Sequence, residues 1–310
     1  MSSLPTFTTL GDGATTVLML HGIGGGHLAF APQVETLASI GYRAVAWDMP
    51  GYGHSAPIEP YTFKGLAEAC IRLIDALVGE RDDPAPGRPK PDQPPDPAMT
   101  GSLPGPGAET RAAAERGGSV VLVGHSMGGM VAQEVIARRP DKVSKLVLCG
   151  TSAAFGKRSD GKAAEAWAQQ FIAQRTAPLD AGQSMADMAA KLVPQMIGPG
   201  SLPEGVRLAE QCMGRVPAAT YRRALDCIVT FDRQASLAHI GVPTLLVGGE
   251  FDRVASPAVM KQMAQQIPNA RYTEMAGVGH LMNLEAPDEF DRLLLDFLRE
   301  PTPRMRPDLH

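Results

Sequence analysis

Ser126 is the residue whose setting points most directly to chemistry. It lies in the sequence GHSMG at positions 124–128, which fits the pattern G-x-S-x-G. An apolar run precedes this sequence and a helix-like segment follows it, so we expect the serine at a sharp turn from a strand into a helix. Such a turn strains the serine backbone, and the glycines remove side chains that would clash there. The pattern alone is common in a glycine-rich chain, but this setting predicts a nucleophilic serine.

A serine hydroxyl is a poor nucleophile near neutral pH and needs a base within hydrogen-bond reach. His280 has the best setting among the seven histidines, because it lies in the loop after the last strand-like run, just before the last predicted helix. The acid that orients the base should lie between Ser126 and His280 in the chain, at the end of a strand. Glu250 and Asp252 both meet this condition. We favour Asp252, because Glu250 is nearer the strand and is expected to point elsewhere.

An attacked carbonyl develops a negative oxygen, which needs preorganised N–H donors. We expect one donor from the backbone of Met127, directly after the serine. The second should come from Ile23 in the loop LHGIGGG at positions 20–26, with Gly24 as the alternative. Glycines in such a loop let a substrate approach the main chain closely. The residues predicted to contact the substrate are Gly22, Gly24 and His125.

The elements that must position these residues alternate between two patterns. Short apolar runs that end at turn-rich sequence predict buried strands. These runs lie at residues 17–20, 44–47, 120–123, 145–148, 244–247 and 271–275. Apolar residues at helical spacing predict helices at residues 30–40, 63–78, 127–138, 258–266 and 287–299. Strands that alternate with helices indicate an α/β fold, with a mostly parallel central sheet and helices on both faces.

Two segments interrupt the alternation. Residues 81–118 hold nine of the 27 prolines and few large apolar residues, so we expect a mobile surface loop. Residues 152–240 are wholly helical in pattern and predict a cap, inserted before the late strands of the core. The core would then comprise residues 1–151 and 241–300, followed by a tail, 301–310. The cap methionines, expected to pack or to face the pocket, are Met185, Met188, Met196 and Met213.

Bulk properties exclude several classes of protein. The formal net charge is −4 and the basic residues are scattered, so neither a nucleic acid nor an anionic membrane is an expected partner. None of the four cysteines has C-x-x-C spacing, and no Cys/His cluster resembles a metal site. The first residues lack a secretory pattern, and no apolar run is long enough to span a membrane. We expect a cytoplasmic monomer or homodimer that acts on a small molecule and needs no metal or organic cofactor.

Five motifs in order resemble the signature of α/β-hydrolase-fold enzymes: HGIGGG, DMPGYGHS, GHSMGG, GEFDRV and GHLMNLEAP. The resemblance covers about residues 15–150 and 241–300. It implies an α/β-hydrolase fold and a serine esterase or lactonase, similar to small-molecule carboxylesterases, 3-oxoadipate enol-lactonases and meta-cleavage product hydrolases. Leu281 departs from the last group, in which a tryptophan commonly follows the histidine. Haloalkane dehalogenases and epoxide hydrolases differ more, since they carry an aspartate where Ser126 stands.

Three alternative functions remain open. One is hydrolysis of a C–C bond in a vinylogous diketone, and another is a small-molecule receptor on the same fold without catalysis. The third is dinucleotide binding, since Gly24-x-Gly26-x-x-Ala29 fits the pattern G-x-G-x-x-G/A and Asp48 follows at a suitable distance. Two features weigh against the third alternative. His21-Gly22 extends the turn before the glycines, and Asp48 leads into PGYGHS instead of a ribose-binding stretch.

Overall fold

The computed structural model describes residues 3–82, 118–156 and 162–301. Most of the predicted Pro-rich loop (residues 83–117) and most of the predicted tail (302–310) lie outside the described residues. The start of that loop was placed too early, because the helix before it continues through Asp82. Among the described helices, none has both the length and the apolarity needed to cross a membrane.

The described residues form a seven-stranded sheet in the order β1-β3-β2-β4-β5-β6-β7. Only β1 runs antiparallel to its neighbour, and the other pairings are parallel. The strands are β1 Phe7–Leu10, β2 Thr16–Leu20, β3 Arg43–Trp47, β4 Val120–His125, β5 Val143–Cys149, β6 Thr244–Gly249 and β7 Ala270–Met275. This confirms the predicted mostly parallel α/β sheet. The sequence interpretation missed β1.

Both faces of the sheet are covered by helices, and this is why its central strands are continuous apolar runs. Along β2, for example, Val17 and Met19 point to one face while Leu18 and Leu20 point to the other. The first face packs against α1 (Ala31–Ser39) and the C-terminal helix α10 (Pro287–Arg299). The helices against the second face are α2 Phe63–Asp82, α3 Met127–Arg138 and α8 Pro257–Gln266.

Among the described residues, four α-helices and a short 3₁₀ helix, Gln234–His239, lie between β5 and β6, where the cap is expected. The α-helices are α4 Lys162–Asp180, α5 Met185–Met196, α6 Pro203–Gly214 and α7 Ala218–Ile228. Helix α5 begins at a capping box, in which Ser184 and Asp187 satisfy each other's backbone N–H. Met185, Met188 and Met213 are buried, whereas Met196 is half-buried. The last short helix, α9 (Met282–Glu285), lies between β7 and α10.

The register of the parallel strands determines which loops meet. Leu20 at the end of β2 lies beside Gly124 near the end of β4, and His125 lies beside Cys149 at the end of β5. Because these strands run in the same direction, the loops that follow them share one edge of the sheet. The glycine-rich loop after β2 is therefore next to Ser126.

Candidate active site

Ser126 occupies the turn from β4 into α3 with φ of 54° and ψ of −121°. It is the single non-glycine residue with positive φ among residues 3–82, 118–156 and 162–301, and such strain is typical of functional positions. Its N–H donates to the Cys149 carbonyl at 2.9 Å. A side chain at Gly128 would collide with the Leu20 carbonyl, and one at Gly124 would come within 2.6 Å of the Gly128 carbonyl. The two motif glycines therefore allow the close backbone packing that holds the turn.

The structure brings Ser126, His280 and Asp252 together in one chain of hydrogen bonds. The Ser126 hydroxyl lies 3.0 Å from Nε2 of His280, and Nδ1 of His280 lies 2.9 Å from Oδ2 of Asp252. A carboxylate accepts, so Nδ1 carries the proton and Nε2 is free to accept from the serine. All three residues are buried, which strengthens these polar interactions.

Asp252 is held in its ionised form by its neighbours. Its other oxygen accepts the N–H groups of Val254 at 2.7 Å and Ala255 at 2.9 Å. Burial raises the pKa of the Asp252 carboxyl, but His280 and the two amides outweigh it, so the net pKa lies below its usual range. Glu250, the competing acid, is exposed and accepts the Gly277 N–H at 2.8 Å. The geometry therefore favours Asp252 as the partner of His280.

The glycine-rich loop after β2 lies against Ser126. A Cβ at Gly22 would be 2.9 Å from the Ser126 Cβ, so a side chain there would press on the nucleophile. The Ile23 carbonyl accepts from the Tyr52 hydroxyl at 2.9 Å, which fixes this loop to the segment after β3. The Met127 N–H is the first in its helix and so has no intrahelical acceptor. The two predicted oxyanion donors therefore lie in segments next to Ser126, and their role stays a prediction.

His21 braces the glycine-rich loop from beneath. Its Nε2 accepts the Met49 N–H at 3.0 Å, so its Nδ1 donates to the Gly22 carbonyl at 2.8 Å. Burial lowers the pKa of His21 to about 4, and the ring is neutral at pH 7. Its place beneath the loop matches a supporting role.

Asp48 does not present its carboxylate as a dinucleotide site requires. It is 3% exposed and accepts the His27 N–H at 2.9 Å. The His27 ring lies 3.0 Å from both carboxylate oxygens, and the Thr6 hydroxyl lies 3.2 Å from one of them. Only a short 3₁₀ helix, His27–Phe30, follows the glycines before Pro32 interrupts the N–H donors of the next helix. These contacts argue against the dinucleotide alternative.

Two other predicted substrate contacts have defined surroundings. The Nε2 of His125 donates to the His280 carbonyl at 2.7 Å, and burial lowers the pKa of His125 to about 3. Gly24 faces the cap, where its Cβ would be 3.4 Å from the Met213 side chain. Contact of either residue with a substrate stays a prediction.

Three residues that sequence reasoning missed also support the site. The Thr151 hydroxyl donates to the Ser126 carbonyl at 2.8 Å. At Gly150, where φ is 49°, a Cβ would lie 3.2 Å from Nδ1 of His280. Glu285 accepts backbone N–H groups on both sides of His280. Gly150 and Thr151 directly follow β5, and Glu285 lies in the motif GHLMNLEAP, so strand ends and motif membership are the signals that could have found them.

Most of the basic residues that the structure describes in the cap have side-chain partners. The pairs are Arg207 with Glu204, Arg222 with Asp180, Arg223 with Glu59, and Lys191 with Gln183. Arg175 lies over the Phe171 ring, and Arg215 is exposed. Within the part of the chain that the structure describes, no group of three His, Cys, Asp or Glu side chains could hold a metal ion.

The sheet, the strained serine and the hydrogen-bonded histidine define a hydrolase scaffold. The chain belongs to the alpha/beta hydrolase family, whose family model matches residues 17–293. It is therefore a member of a family of hydrolases with esterase and lactonase relatives.

Three similar proteins illustrate its place in that family. The 3-oxoadipate enol-lactonase 1 of Acinetobacter baylyi is 23% identical over 93% of this chain and 90% of its own length. A solved esterase from Thermogutta terrifontis matches with a TM-score of 0.72 at 22% identity, over 95% of this chain and 92% of that one. The polyketide synthase ThaQ of Burkholderia thailandensis is 24% identical over 92% of this chain, which spans only 12% of the length of ThaQ.

Proposed function

We propose that this protein is a serine hydrolase that cleaves a carboxylic ester or lactone of a small molecule through an acyl-enzyme. The observation that supports the proposal most strongly is the unbroken chain from the Ser126 hydroxyl through His280 to Asp252, with distances of 3.0 Å and 2.9 Å. The names of the esterase and enol-lactonase relatives agree with it. The strained backbone of Ser126 at a strand–helix turn is a second sign of a nucleophile, because a serine that only made hydrogen bonds would not need it.

In the first half of the reaction, Nε2 of His280 takes the proton as the Ser126 oxygen attacks the substrate carbonyl. Asp252 stabilises the charged imidazole and keeps its Nδ1 proton in place. The negative oxygen of the tetrahedral intermediate is held by the N–H groups of Met127 and Ile23. His280 then protonates the leaving alcohol, and the acyl group remains on Ser126.

In the second half, water repeats the sequence on the acyl-enzyme. His280 removes a proton from water as it attacks the acyl carbonyl, and the same two N–H groups hold the second oxyanion. Collapse of this intermediate returns the proton to Ser126 and releases the carboxylic acid. In a lactone, the leaving alcohol stays attached to the acyl group, so a single hydroxy acid leaves the site. No step requires a metal or an organic cofactor.

The cap is the part of the chain that selects the substrate. Met213 of α6 packs against Gly24, so a cap residue lies directly over the glycine-rich loop. Gly22, Gly24 and His125 are the residues proposed to contact the substrate beside the nucleophile. Methionines pack adaptably around apolar groups, which favours an acyl or ring portion of medium size.

Replacement of the nucleophile tests the proposal. Ser126→Ala should lower kcat on p-nitrophenyl esters or enol-lactones by about 10⁶, because the residual rate comes only from binding and the oxyanion donors. Ser39→Ala is the matched control, since Ser39 is an exposed serine on α1 and its loss should leave kcat unchanged. Substantial activity in Ser126→Ala would refute the mechanism.

The same panel separates the alternative functions. Ser126-dependent cleavage of vinylogous diketones, with esters and lactones inert, would indicate a C–C bond hydrolase. If no substrate turns over and a fluorophosphonate does not label the protein, the non-catalytic receptor is favoured instead.

A further inference from the structure

Glu285 is a buried carboxylate with an unusual set of donors. It is 1% exposed at the end of α9. One oxygen accepts the Leu281 N–H at 2.7 Å, and the other accepts the Gly279 N–H, also at 2.7 Å. These two amides flank His280 in the chain. The carboxylate therefore fixes the peptide on each side of the residue that carries the imidazole.

The same carboxylate also binds the cap. Its second oxygen accepts the Gly198 N–H at 2.8 Å and the Ser201 hydroxyl at 2.6 Å, both from the segment that joins α5 to α6. None of its four donors carries a charge, and three of them are backbone amides. What Glu285 holds is therefore the relative position of two backbone segments.

Direct contacts between those segments run beside the carboxylate. The His280 N–H donates to the Met196 carbonyl at 2.6 Å, and the Gly200 N–H donates to the Gly277 carbonyl at 2.7 Å. At Gly198 and Gly279 a Cβ would collide with the facing backbone, so the two segments are in close contact. The segment 196–201 of the cap and the histidine loop 277–281 thus pack as one unit.

We propose that Glu285 is a positioning residue, which fastens the cap to the histidine loop and thereby sets the position of His280. This rests on the proposed function, in which His280 is the base. Glu285 touches no reacting atom and acts through the backbone of its neighbours. A shift of about 1 Å in a catalytic group can cost about 10²-fold in rate. A loosened histidine loop should therefore lower kcat strongly and change the affinity for substrate only a little.

Glu285→Gln is the direct test, because it keeps the shape but turns an amide NH₂ toward N–H donors. We expect kcat to fall about 10- to 100-fold with KM changed less than threefold, measured well below the melting temperature. Ser201→Ala removes one of the two donors on the cap and should lower kcat by a smaller factor. Asp291→Asn is the matched control. Asp291 is a buried carboxylate on α10 that accepts from the neutral Gln33 side chain, and its replacement should leave kcat unchanged.

A second readout does not depend on hydrolysis. The proton on Nδ1 of His280, shared with Asp252, should give a low-field proton resonance that is sharp in the wild type and Asp291→Asn. In Glu285→Gln it should broaden or shift. An unchanged resonance in folded Glu285→Gln would overturn the proposal, whether or not the protein hydrolyses esters. If Glu285→Gln does not fold, an unchanged resonance in Ser201→Ala would overturn it. Loss of the proposed function instead appears as a wild type with no Ser126-dependent turnover.

Discussion

At the scale of single residues, the two acids that follow β6 differ in their hydrogen-bond partners. Asp252 is buried and bonded to His280, whereas Glu250 is exposed and bonded to a backbone amide at the start of the histidine loop. A carboxylate can orient the imidazole only through the first kind of contact. The difference between the two side chains is therefore testable by replacing each one separately.

Asp252→Asn should lower kcat by about 10⁴, because an amide at this position favours the wrong imidazole tautomer. Glu250→Gln keeps an acceptor for the Gly277 N–H and should change kcat by only a few-fold. Both variants can be measured on the same p-nitrophenyl ester. A larger loss in Glu250→Gln than in Asp252→Asn would reverse the assignment of the acid.

The sequence predicts residues with a local signature better than residues that act from a distance. Ser126 has a motif in a strand–helix setting, and His280 has a distinctive place in chain order. Glu285 and Thr151 have only weak signals, a place in a motif and a strand end, because their importance comes from contacts with other segments, 87 residues away for Glu285 and Gly198. His125 illustrates the same limit, since its bond to the His280 carbonyl spans 155 residues.

At the scale of elements, the position of Ser126 depends on how closely α3 approaches the end of β2. Gly128 lies against the Leu20 carbonyl, so α3 and the glycine-rich loop are in backbone contact. In the proposed mechanism, this approach lets the Met127 N–H and the Ile23 N–H bind the same oxyanion. This backbone contact should be lost if any side chain is placed between α3 and the glycine-rich loop.

Gly128→Ala should separate α3 from the glycine-rich loop and lower kcat by at least 10²-fold, because misplaced donors lose oxyanion stabilisation. It should also lower the melting temperature, since the methyl group overpacks a buried contact. Gly79→Ala is the control on α2, where a Cβ meets nothing within 4 Å and helix propensity should stabilise the protein slightly. The two variants can be compared by ester hydrolysis and thermal unfolding. Wild-type kcat in Gly128→Ala would contradict the proposed role of this contact.

Strands buried on both faces could be predicted because each is a continuous apolar run. Strand β1 has only four residues, and its burial pattern is half-exposed at the edge of the sheet, so it gives no such run. The short helix α9 was also missed, since four residues are too few to show helical spacing. The start of the Pro-rich loop was misplaced because helix α2 extends a few residues into polar sequence, where apolar periodicity gives no signal.

At the scale of the whole molecule, the histidines beneath the site make stability depend on pH. His21 and His125 have pKa values lowered by burial to about 4 and about 3, from an ordinary value of about 6.5. Below pH 6.5 the unfolded chain therefore binds protons that the folded chain does not. The free energy of unfolding should fall as the pH is lowered through this window.

Urea unfolding at pH 7 and pH 5 checks this prediction. Each of the two histidines should contribute about 2 kcal/mol to the loss of stability between these pH values. His125→Gln should reduce the pH dependence by one such contribution, whereas His239→Gln, which replaces an exposed histidine, should leave it unchanged. Equal pH dependence in the wild type and His125→Gln would contradict a neutral, buried His125.

In the proposed mechanism, the fold positions Ser126 to form one covalent intermediate. The most direct measurement is to react the protein with a fluorophosphonate, count the label by intact mass and locate it by peptide mapping. We predict one equivalent per chain on Ser126, none in Ser126→Ala, and a much slower reaction in His280→Ala. Ester hydrolysis by a protein that takes no label at Ser126, or takes it at another residue, would contradict this mechanism.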